Sequence, residues 1–248
     1  MSGFPPQVSP ERLELSLGPS DIHIWSIALD QPPEQEAALR ALLAPDEIER
    51  ADRFRFDRHR RQYTVGRGVL RRMLGRYLGR RPEELTFAYG DKGKPYLPGH
   101  AELFFNLSNS EELALVGFTL RGEIGVDVEH LRPMPDGEQI AERFFSVPER
   151  DVLRAVPGPL KDLAFFNCWT RKEAYIKAVG DGLSMALDRF DVTLAPGDPA
   201  RMLRLDGDPE RGAQWYMEHL EPKDGYVGAV ALVGRDFRLV CREWVVGA

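Results

Sequence analysis

The stretch Ile124-Gly125-Val126-Asp127-Val128-Glu129 alternates apolar and acidic residues, as does a β-strand that is buried on one face. Successive side chains of a strand point to opposite faces, so we expect the apolar residues in the core and Asp127 and Glu129 side by side on the other face. Two carboxylates this close repel each other unless a cation or a proton intervenes, and Mg²⁺ is a hard, oxygen-binding cation that resolves the conflict. An edge strand whose polar face meets water explains the same six residues equally well.

A second motif, Trp169-Thr170-Arg171-Lys172-Glu173-Ala174-Tyr175-Ile176-Lys177, lies on a helix predicted over residues 160–179. Glu173 and Lys177 are four residues apart and share one face of that helix. A surface ion pair, worth a few tenths of a kcal/mol, is the simpler interpretation of this pair alone. The functional interpretation makes Glu173 a third metal ligand or a general base and Lys177 a phosphate contact, because a carboxylate beside a lysine stays ionised at neutral pH.

The elements around these motifs predict a mixed α+β fold in which one order of elements occurs twice. A strand, a long helix and a group of strands are expected in residues 1–121, and the same order returns in residues 122–248. Because no Gly/Ser-rich linker separates these two halves, we expect them to form one body. Residues 1–20, which are rich in Pro, Ser and Gly, predict a loose arm. The predicted strands are 22–29, 85–89, 103–107, 113–120, 124–129, 190–194, 215–220, 226–233 and 237–245; the predicted helices are 34–43, 57–78 and 160–179, with a capping box at 146–149.

Two polar segments of the first half have the hydrogen-bond donors that a phosphate or a nucleotide requires. Lys92-Gly93-Lys94-Pro95 is a tight turn with two ammonium groups, and Ser108 and Asn109 place hydroxyl and amide groups at the end of a strand. Taken alone, the turn is more simply a charged hairpin, and it lacks the spacing of a P-loop. No H-E-x-x-H, G-x-S-x-G or strand-following G-x-G-x-x-G motif supports another catalytic class.

The distribution of charge argues against wholesale binding of nucleic acid. The chain has 248 residues and a net charge of −6, yet residues 50–81 contain twelve arginines and only two aspartates. A basic face on an acidic protein suits a small polyanion or an acidic partner. Arg50 and Arg53, at the start of this stretch, are the arginines expected to reach an anion, whereas most of the others are expected on solvated helix surface.

The remaining composition predicts a cytoplasmic protein. No apolar run approaches the roughly 18 residues that span a bilayer. The N-terminus lacks the basic and apolar segments of a signal peptide. Cys168 and Cys241 are far apart and show no metal-ligand spacing, so neither a disulfide framework nor a zinc site is expected.

Taken in order, the motifs make the chain resemble the Sfp-type 4′-phosphopantetheinyl transferases over roughly residues 44–194. The Asp-x-Glu and Trp-x-x-Lys-Glu-x-x-x-Lys signatures are the discriminating pair. The resemblance implies the fold of that family, with two similar halves related by a pseudo-twofold axis and coenzyme A in the cleft between them. The matching segments are Arg53-Phe54-Arg55-Phe56, Gly93-Lys94-Pro95, Phe105-Asn106-Leu107-Ser108, residues 124–129, Arg143-Phe144-Phe145-Ser146 and Trp169-x-x-Lys172-Glu173-Ala174-x-x-Lys177.

The resemblance also implies a reaction and the roles of individual residues. The 4′-phosphopantetheine moiety of coenzyme A would pass to a serine of an acyl or peptidyl carrier protein, and adenosine 3′,5′-bisphosphate would be released. Glu173 or a metal-bound water would take the proton of that serine, and Lys177 would contact the transferred phosphate. A monomer is favoured because the two halves already supply a paired interface. The residues implied to bind Mg²⁺ are Asp127, Glu129 and Glu173, and those implied to hold the nucleotide end are Arg50, Arg53, Lys92, Lys94, Ser108 and Asn109.

One position departs from the family, because Ser108-Asn109-Ser110 stands where the family usually has Ser-His-Ser. Asparagine donates hydrogen bonds but carries no positive charge, so we expect weaker binding of coenzyme A that depends less on pH near neutrality. Two other classes stay open: a coenzyme A sensor that turns nothing over, and a nucleic-acid-binding protein that uses the arginines. The basic region 50–81 is expected to help dock the carrier, in which case charge reversal at Arg71 and Arg72 would weaken carrier binding alone.

Overall fold

The computed structural model describes residues 4, 16–180, 182 and 185–245, so most of the predicted loose arm, residues 1–20, lies outside the described residues. Short 3₁₀ helices at Pro82–Glu84, Gly158–Leu160 and Leu187–Arg189 connect longer elements. In chain order the helices and strands are β1 (Asp21–Ala28), α1 (Pro33–Arg40), α2 (Pro45–Asp52), α3 (Asp57–Leu78), β2 (Ala88–Tyr89), β3 (Pro95–Tyr96), β4 (Phe104–Ser110), β5 (Leu113–Thr119), β6 (Ile124–His130), α4 (Gly137–Phe144), α5 (Val147–Ala155), α6 (Lys161–Val179), β7 (Phe190–Val192), β8 (Met202–Leu205), α7 (Pro209–Gly212), β9 (Trp215–Leu220), β10 (Tyr226–Val233) and β11 (Arg238–Trp244).

One arrangement of a strand, a long helix and a hairpin occurs twice, which confirms the predicted mixed α+β fold. In the first sheet β1 pairs with β5 and β5 with β4, both antiparallel, and α3 lies between β1 and β4 in the chain. In the second sheet β6 pairs with β10 and β10 with β9, again antiparallel, with α6 in the corresponding place. In each group of three strands, the last strand in the chain therefore lies between the other two, in the orders β1-β5-β4 and β6-β10-β9.

The last strand does not follow this repeat. β11 pairs in parallel with β1, so that Ile22 lies opposite Leu239 and Ile24 opposite Cys241. Arg238 reinforces the edge, because its guanidinium donates two hydrogen bonds to the buried carboxylate of Asp21, at 2.8 and 2.7 Å. A strand from the predicted second half thus completes the sheet of the first, and the division of the chain at residues 121 and 122 stays a prediction.

Local predictions differ from the structure in two ways. Of the strand predicted over 85–89, only Ala88–Tyr89 is a strand and residues 85–87 are a loop, since the carbonyl group of Leu85 accepts a hydrogen bond from the buried guanidinium of Arg71, at 3.0 Å, instead of from a neighbouring strand. The sequence analysis also predicts no element at α2, α4, α7, β3 or β8. Helix α4, for example, begins at Gly137 and has no side-chain N-cap to signal its start. The remaining predicted helices and strands lie within a few residues of their observed bounds.

The arginines of α3 are not all on the surface. Arg67 and Arg71, one helical turn apart, both donate hydrogen bonds to the carboxylate of Glu47, which is itself buried. Arg71 is 1% exposed. The prediction that Arg71 belongs to a basic docking face is therefore wrong, and reversing its charge would disrupt the interior rather than probe a partner.

A buried ion pair joins α5 to α6. The ammonium group of Lys172 lies 2.8 Å from a carboxylate oxygen of Glu149, and both side chains are 1% exposed. The same ammonium donates to the carbonyl groups of Leu187 and Phe190, at 2.6 and 2.7 Å. Glu149 in turn accepts from the backbone nitrogen of Ser146, as expected from the capping box. Lys172 therefore organises the interior around α6.

Within the described part of the chain, no helix is both long enough and apolar enough to cross a membrane.

We expect Lys172→Met to lower the free energy of unfolding by about 3–5 kcal/mol, because it leaves the carboxylate of Glu149 buried without its cation. Urea unfolding followed by circular dichroism measures the change. Asp151→Asn is the control, because its partner Arg154 lies on the exposed face of α5 and such a pair is worth less than about 1 kcal/mol. Equal effects of the two substitutions would contradict the structural role of Lys172.

Candidate active site

The first and second sheets meet along a seam of side-chain hydrogen bonds between β4 and β6. Asn106, Ser108 and Ser110 occupy alternate positions of β4, so their side chains leave the strand on the same face. Side chains thereby replace the backbone ladder that neighbouring strands of one sheet would form. The bonds run from the backbone nitrogen of Val126 to Asn106 Oδ1 (2.9 Å), from Ser108 Oγ to Asp127 Oδ1 (2.8 Å), from Ser110 Oγ to Glu129 Oε2 (2.9 Å) and from the backbone nitrogen of His130 to Ser110 Oγ (3.1 Å).

Gly125 allows β6 to lie directly against α6. A Cβ atom at this position would overlap the carbonyl oxygen of Ala174 and the backbone nitrogen of Ala178. Because strand side chains alternate, Asp127 leaves β6 on the same face as Gly125. This close approach brings the acidic face of β6 onto the helix that carries Glu173 and Lys177.

Asp127, Lys177 and Ser108 form a closed triangle of hydrogen bonds. The Lys177 ammonium lies 2.6 Å from Asp127 Oδ1 and 2.7 Å from Ser108 Oγ. Asp127 is 4% exposed, so this ion pair is shielded from water on the carboxylate side. The Lys177 ammonium thus contacts side chains of β6 and β4. The surface ion pair with Glu173, which is the simpler interpretation of the sequence, is not its principal contact.

Two carboxylate oxygens at this point are buried without a hydrogen-bond partner among the described residues: Asp127 Oδ2 and Glu173 Oε1. Burial raises the pKa of the Glu173 carboxyl, and the nearby charge of Asp127 raises it further, against the opposing effect of Lys177. Unpaired, crowded carboxylate oxygens are the donors that a hard divalent cation takes. Asp127 and Glu173 therefore fit a metal ion chemically.

Glu129, the third predicted metal ligand, has other contacts. Its carboxylate accepts a hydrogen bond from Ser110 and lies 3.4 Å from the guanidinium of Arg132. Across the described ranges of the chain, no group of three or more His, Cys, Asp or Glu side chains is arranged to hold a metal ion. The structure thus brings Asp127, Glu173 and Lys177 together and leaves Glu129 at the margin of that group.

A cavity of about 230 Å³ lies beside the seam, and β4 contributes to its wall. Leu107 and Asn109 line it, whereas Ser108 between them faces Asp127. Arg50 and Asn109 are predicted nucleotide contacts that line the cavity, and Gly93 of the turn between Lys92 and Lys94 lines it as well. Leu107 and Asn109 of β4 thus face a basic cavity on the side away from Asp127, and Asn106 of the seam also contributes to the cavity lining.

Besides Ser108, three of the predicted nucleotide contacts are not among the residues that line the cavity. The Lys94 ammonium pairs with Glu123 and donates to the carbonyl groups of Ile124 and Ala178, at 3.1 and 3.0 Å. Burial lowers the pKa of this ammonium, against the opposing hydrogen bond to Glu123. Lys94 thus ties its turn to the start of β6 and the end of α6. Arg53 is exposed and pairs with Glu49, and Lys92 is exposed.

Sequence reasoning missed Ser110, Asn106 and Arg67. The first two carried a usable signal, because Asn-x-Ser-x-Ser repeats with the same period of two as the Asp-x-Glu strand that it contacts. Arg67 carried none, since it is one of twelve arginines in residues 50–81 and only its contacts distinguish it.

Comparison with known proteins identifies the family of this chain. A model of the 4′-phosphopantetheinyl transferase superfamily matches residues 123–231, and a model of the 4′-phosphopantetheinyl transferase N-terminal region matches residues 31–118. The 4′-phosphopantetheinyl transferase HetI of Nostoc sp. is 42% identical over 228 residues, which cover 91% of this chain and 93% of that protein. The 4′-phosphopantetheinyl transferase Sfp of Bacillus subtilis is 30% identical over 216 residues, or 86% of this chain and 93% of that protein. The chain belongs to the 4′-phosphopantetheinyl transferase family, which confirms the resemblance inferred from its motifs.

We expect Gly125→Ala to destabilise the protein by about 3 kcal/mol, because the new methyl group would overlap backbone atoms of α6, which cannot turn aside as a flexible side chain can. Thermal or urea unfolding measures the loss. Gly158→Ala is the matched control, since nothing lies within 4 Å of a Cβ at that position. A Gly125→Ala protein as stable as the control would mean that β6 and α6 are farther apart than described.

Proposed function

We propose that this protein transfers 4′-phosphopantetheine from coenzyme A to a serine hydroxyl of an acyl or peptidyl carrier protein and releases adenosine 3′,5′-bisphosphate. The observation that carries the proposal is the pair of buried, unpartnered oxygens of Asp127 and Glu173 beside the Lys177 ammonium. The proposal is further supported by the family to which the chain belongs, since HetI and Sfp are both named as transferases of this group.

The proposed cofactor is Mg²⁺, held by Asp127 and Glu173 with Glu129 as the third ligand. When bound, the ion would offset negative charge on the diphosphate of coenzyme A. Support for this assignment comes from the two oxygens that lack a partner and from the excess of carboxylates over cations at this point. Glu129 can join the set through Oε1, because its contacts with Ser110 and Arg132 both use Oε2.

The reaction requires a base for a weak nucleophile. The serine oxygen of the carrier bonds to the pantetheine-linked phosphorus, the bond from that phosphorus to the bridging oxygen of the diphosphate breaks, and the serine proton passes to Glu173. Glu173 suits this role by position, because it lies one helical turn from Lys177 on α6 and beside the proposed metal site. The ammonium of Lys177 offsets negative charge on the phosphate oxygens without having to be desolvated during the reaction.

The cavity on the other side of β4 is the proposed site of the nucleotide end. Arg50 and Asn109 line it and supply a cation and an amide, while Lys94 supports the neighbouring turn from behind. We propose a monomer as the working form, supported by the side-chain seam that already joins the two sheets within one chain.

Incubation with an apo carrier protein, coenzyme A and Mg²⁺ is expected to raise the mass of the carrier by one phosphopantetheine, as measured by intact-mass spectrometry. Glu173→Ala should abolish the gain, because it removes both a proposed ligand and the proposed base. Glu210→Ala, at an exposed position of α7, is the matched control and should leave the gain intact. Retained binding of coenzyme A with no mass gain across several carrier types would instead support a sensor without turnover.

Mg²⁺ is expected to raise the midpoint of thermal unfolding of the wild-type protein, because an ion that binds the folded state alone stabilises it. Asp127→Asn should remove most of this shift, since it replaces a negatively charged carboxylate with a neutral amide. One oxygen of that carboxylate has no hydrogen-bond partner among the described residues. Differential scanning fluorimetry with and without the ion measures the effect. A shift of the same size in wild type and variant would place the metal elsewhere.

A further inference from the structure

Arg67 is a buried cation that faces the basic cavity. The residue is 8% exposed, lies on α3 and is among those that line the cavity. Its Nε donates to Glu47, and its Nη2 donates to the hydroxyl of Tyr89 at 2.8 Å. Its guanidinium carbon lies 3.7 Å from the centre of the Phe87 ring. These three contacts fix the orientation of the Arg67 guanidinium.

The contacts of Arg67 leave its charge only partly compensated. Glu47 is shared with Arg71, so two guanidinium groups face one carboxylate. Nη1 of Arg71 also donates hydrogen bonds to the carbonyl groups of Pro82 and Leu85. Arg67 has no such carbonyl partners among the described residues, and its Nη1 makes no hydrogen bond there. An incompletely paired buried cation costs free energy, which an anionic ligand would recover.

The cavity has the charge that such an anion needs. Of the described residues that line it, the charged ones are Arg50 and Arg67, and none is acidic. Arg50 is exposed at the rim, whereas Arg67 lies inside. A guanidinium presents parallel N–H groups whose geometry matches the oxygens of a phosphate.

The chemistry of coenzyme A identifies the phosphate, an inference that rests on the proposed function. Coenzyme A carries phosphate at two places, the diphosphate and the 3′-hydroxyl of its ribose. The diphosphate has to reach Asp127 and Lys177, which lie on the other side of β4 from the cavity wall formed by Leu107 and Asn109. The 3′-phosphate is then the group left for the cavity. We propose that Arg67 binds the 3′-phosphate of coenzyme A and that Tyr89 fixes the orientation of its guanidinium.

Isothermal titration calorimetry with coenzyme A and with 3′-dephospho-coenzyme A isolates this contact. The wild-type protein should prefer coenzyme A, and Arg67→Gln should reduce that preference by about ten-fold or more, the effect of losing a hydrogen bond to a charged group. The loss should arise from weaker binding of coenzyme A, while binding of the dephospho compound changes by less than about two-fold. Arg71→Gln is the matched control: it removes the other guanidinium from Glu47, should lower stability, and should keep the preference.

An unchanged preference in Arg67→Gln would overturn the assignment, as would an equal loss of preference in Arg71→Gln, because the effect would then come through Glu47. If Arg67→Gln does not fold, Tyr89→Phe decides instead, because Tyr89 is 41% exposed and its ring is retained. Tyr89→Phe should lower the preference several-fold, and an unaltered preference would again overturn the assignment.

Transfer to a carrier, followed in parallel by mass spectrometry, separates this inference from the proposed function. Intact transfer with an unchanged preference in Arg67→Gln rejects only the role of Arg67. A wild-type protein that binds neither compound and transfers nothing rejects both proposals.

Discussion

The hydrogen bonds from Asn106, Ser108 and Ser110 to β6 are the contacts on which the arrangement of this molecule depends. Two sheets that met through backbone pairing would form one continuous sheet, and the side chains of β4 and β6 would then point above and below it. Because side chains make the connection, the acidic residues of β6 are held at the junction itself. Ser108 illustrates the result, since one hydroxyl group contacts both Asp127 and Lys177. The seam thus determines both how the halves meet and where the reactive groups lie.

Much of the fold and part of the site follow from local pattern. Helix α3 and strands β6, β9 and β10 are long, periodic and bounded by glycine or turn residues, and they occur where the sequence predicts them. The alternation in residues 124–129 also suffices to place Asp127 on the face opposite Val126. What local pattern does not contain is a partner. Glu47 pairs with Arg71, and Glu149 pairs with Lys172, although the partners of each pair are far apart in the chain. The local sequence around such a lysine or arginine therefore gives no sign that its side chain is buried.

The buried cations Lys172 and Arg67 and the partly buried Lys94 differ in how completely partner groups compensate their charge. Lys172 has one carboxylate and two carbonyl groups, and Lys94 has the same kind of set. Arg67 has a carboxylate that it shares with Arg71, together with a hydroxyl group and an aromatic ring. Lys172 and Lys94 lie where elements are tied together, and Arg67 lines a cavity. Counting the partners of each buried charge therefore separates cations that hold the fold from a cation with capacity left for a ligand.

The parallel pairing of β11 with β1 has a consequence for the order of events during synthesis. Strands β1, β4 and β5 leave the ribosome early, but the strand that covers the outer edge of β1 is made last, after the whole of the second sheet. Until then β1 offers an unpaired edge, the kind of surface on which nascent chains associate with one another. We therefore expect the nascent first sheet to be the stage at which this protein depends most on chaperones.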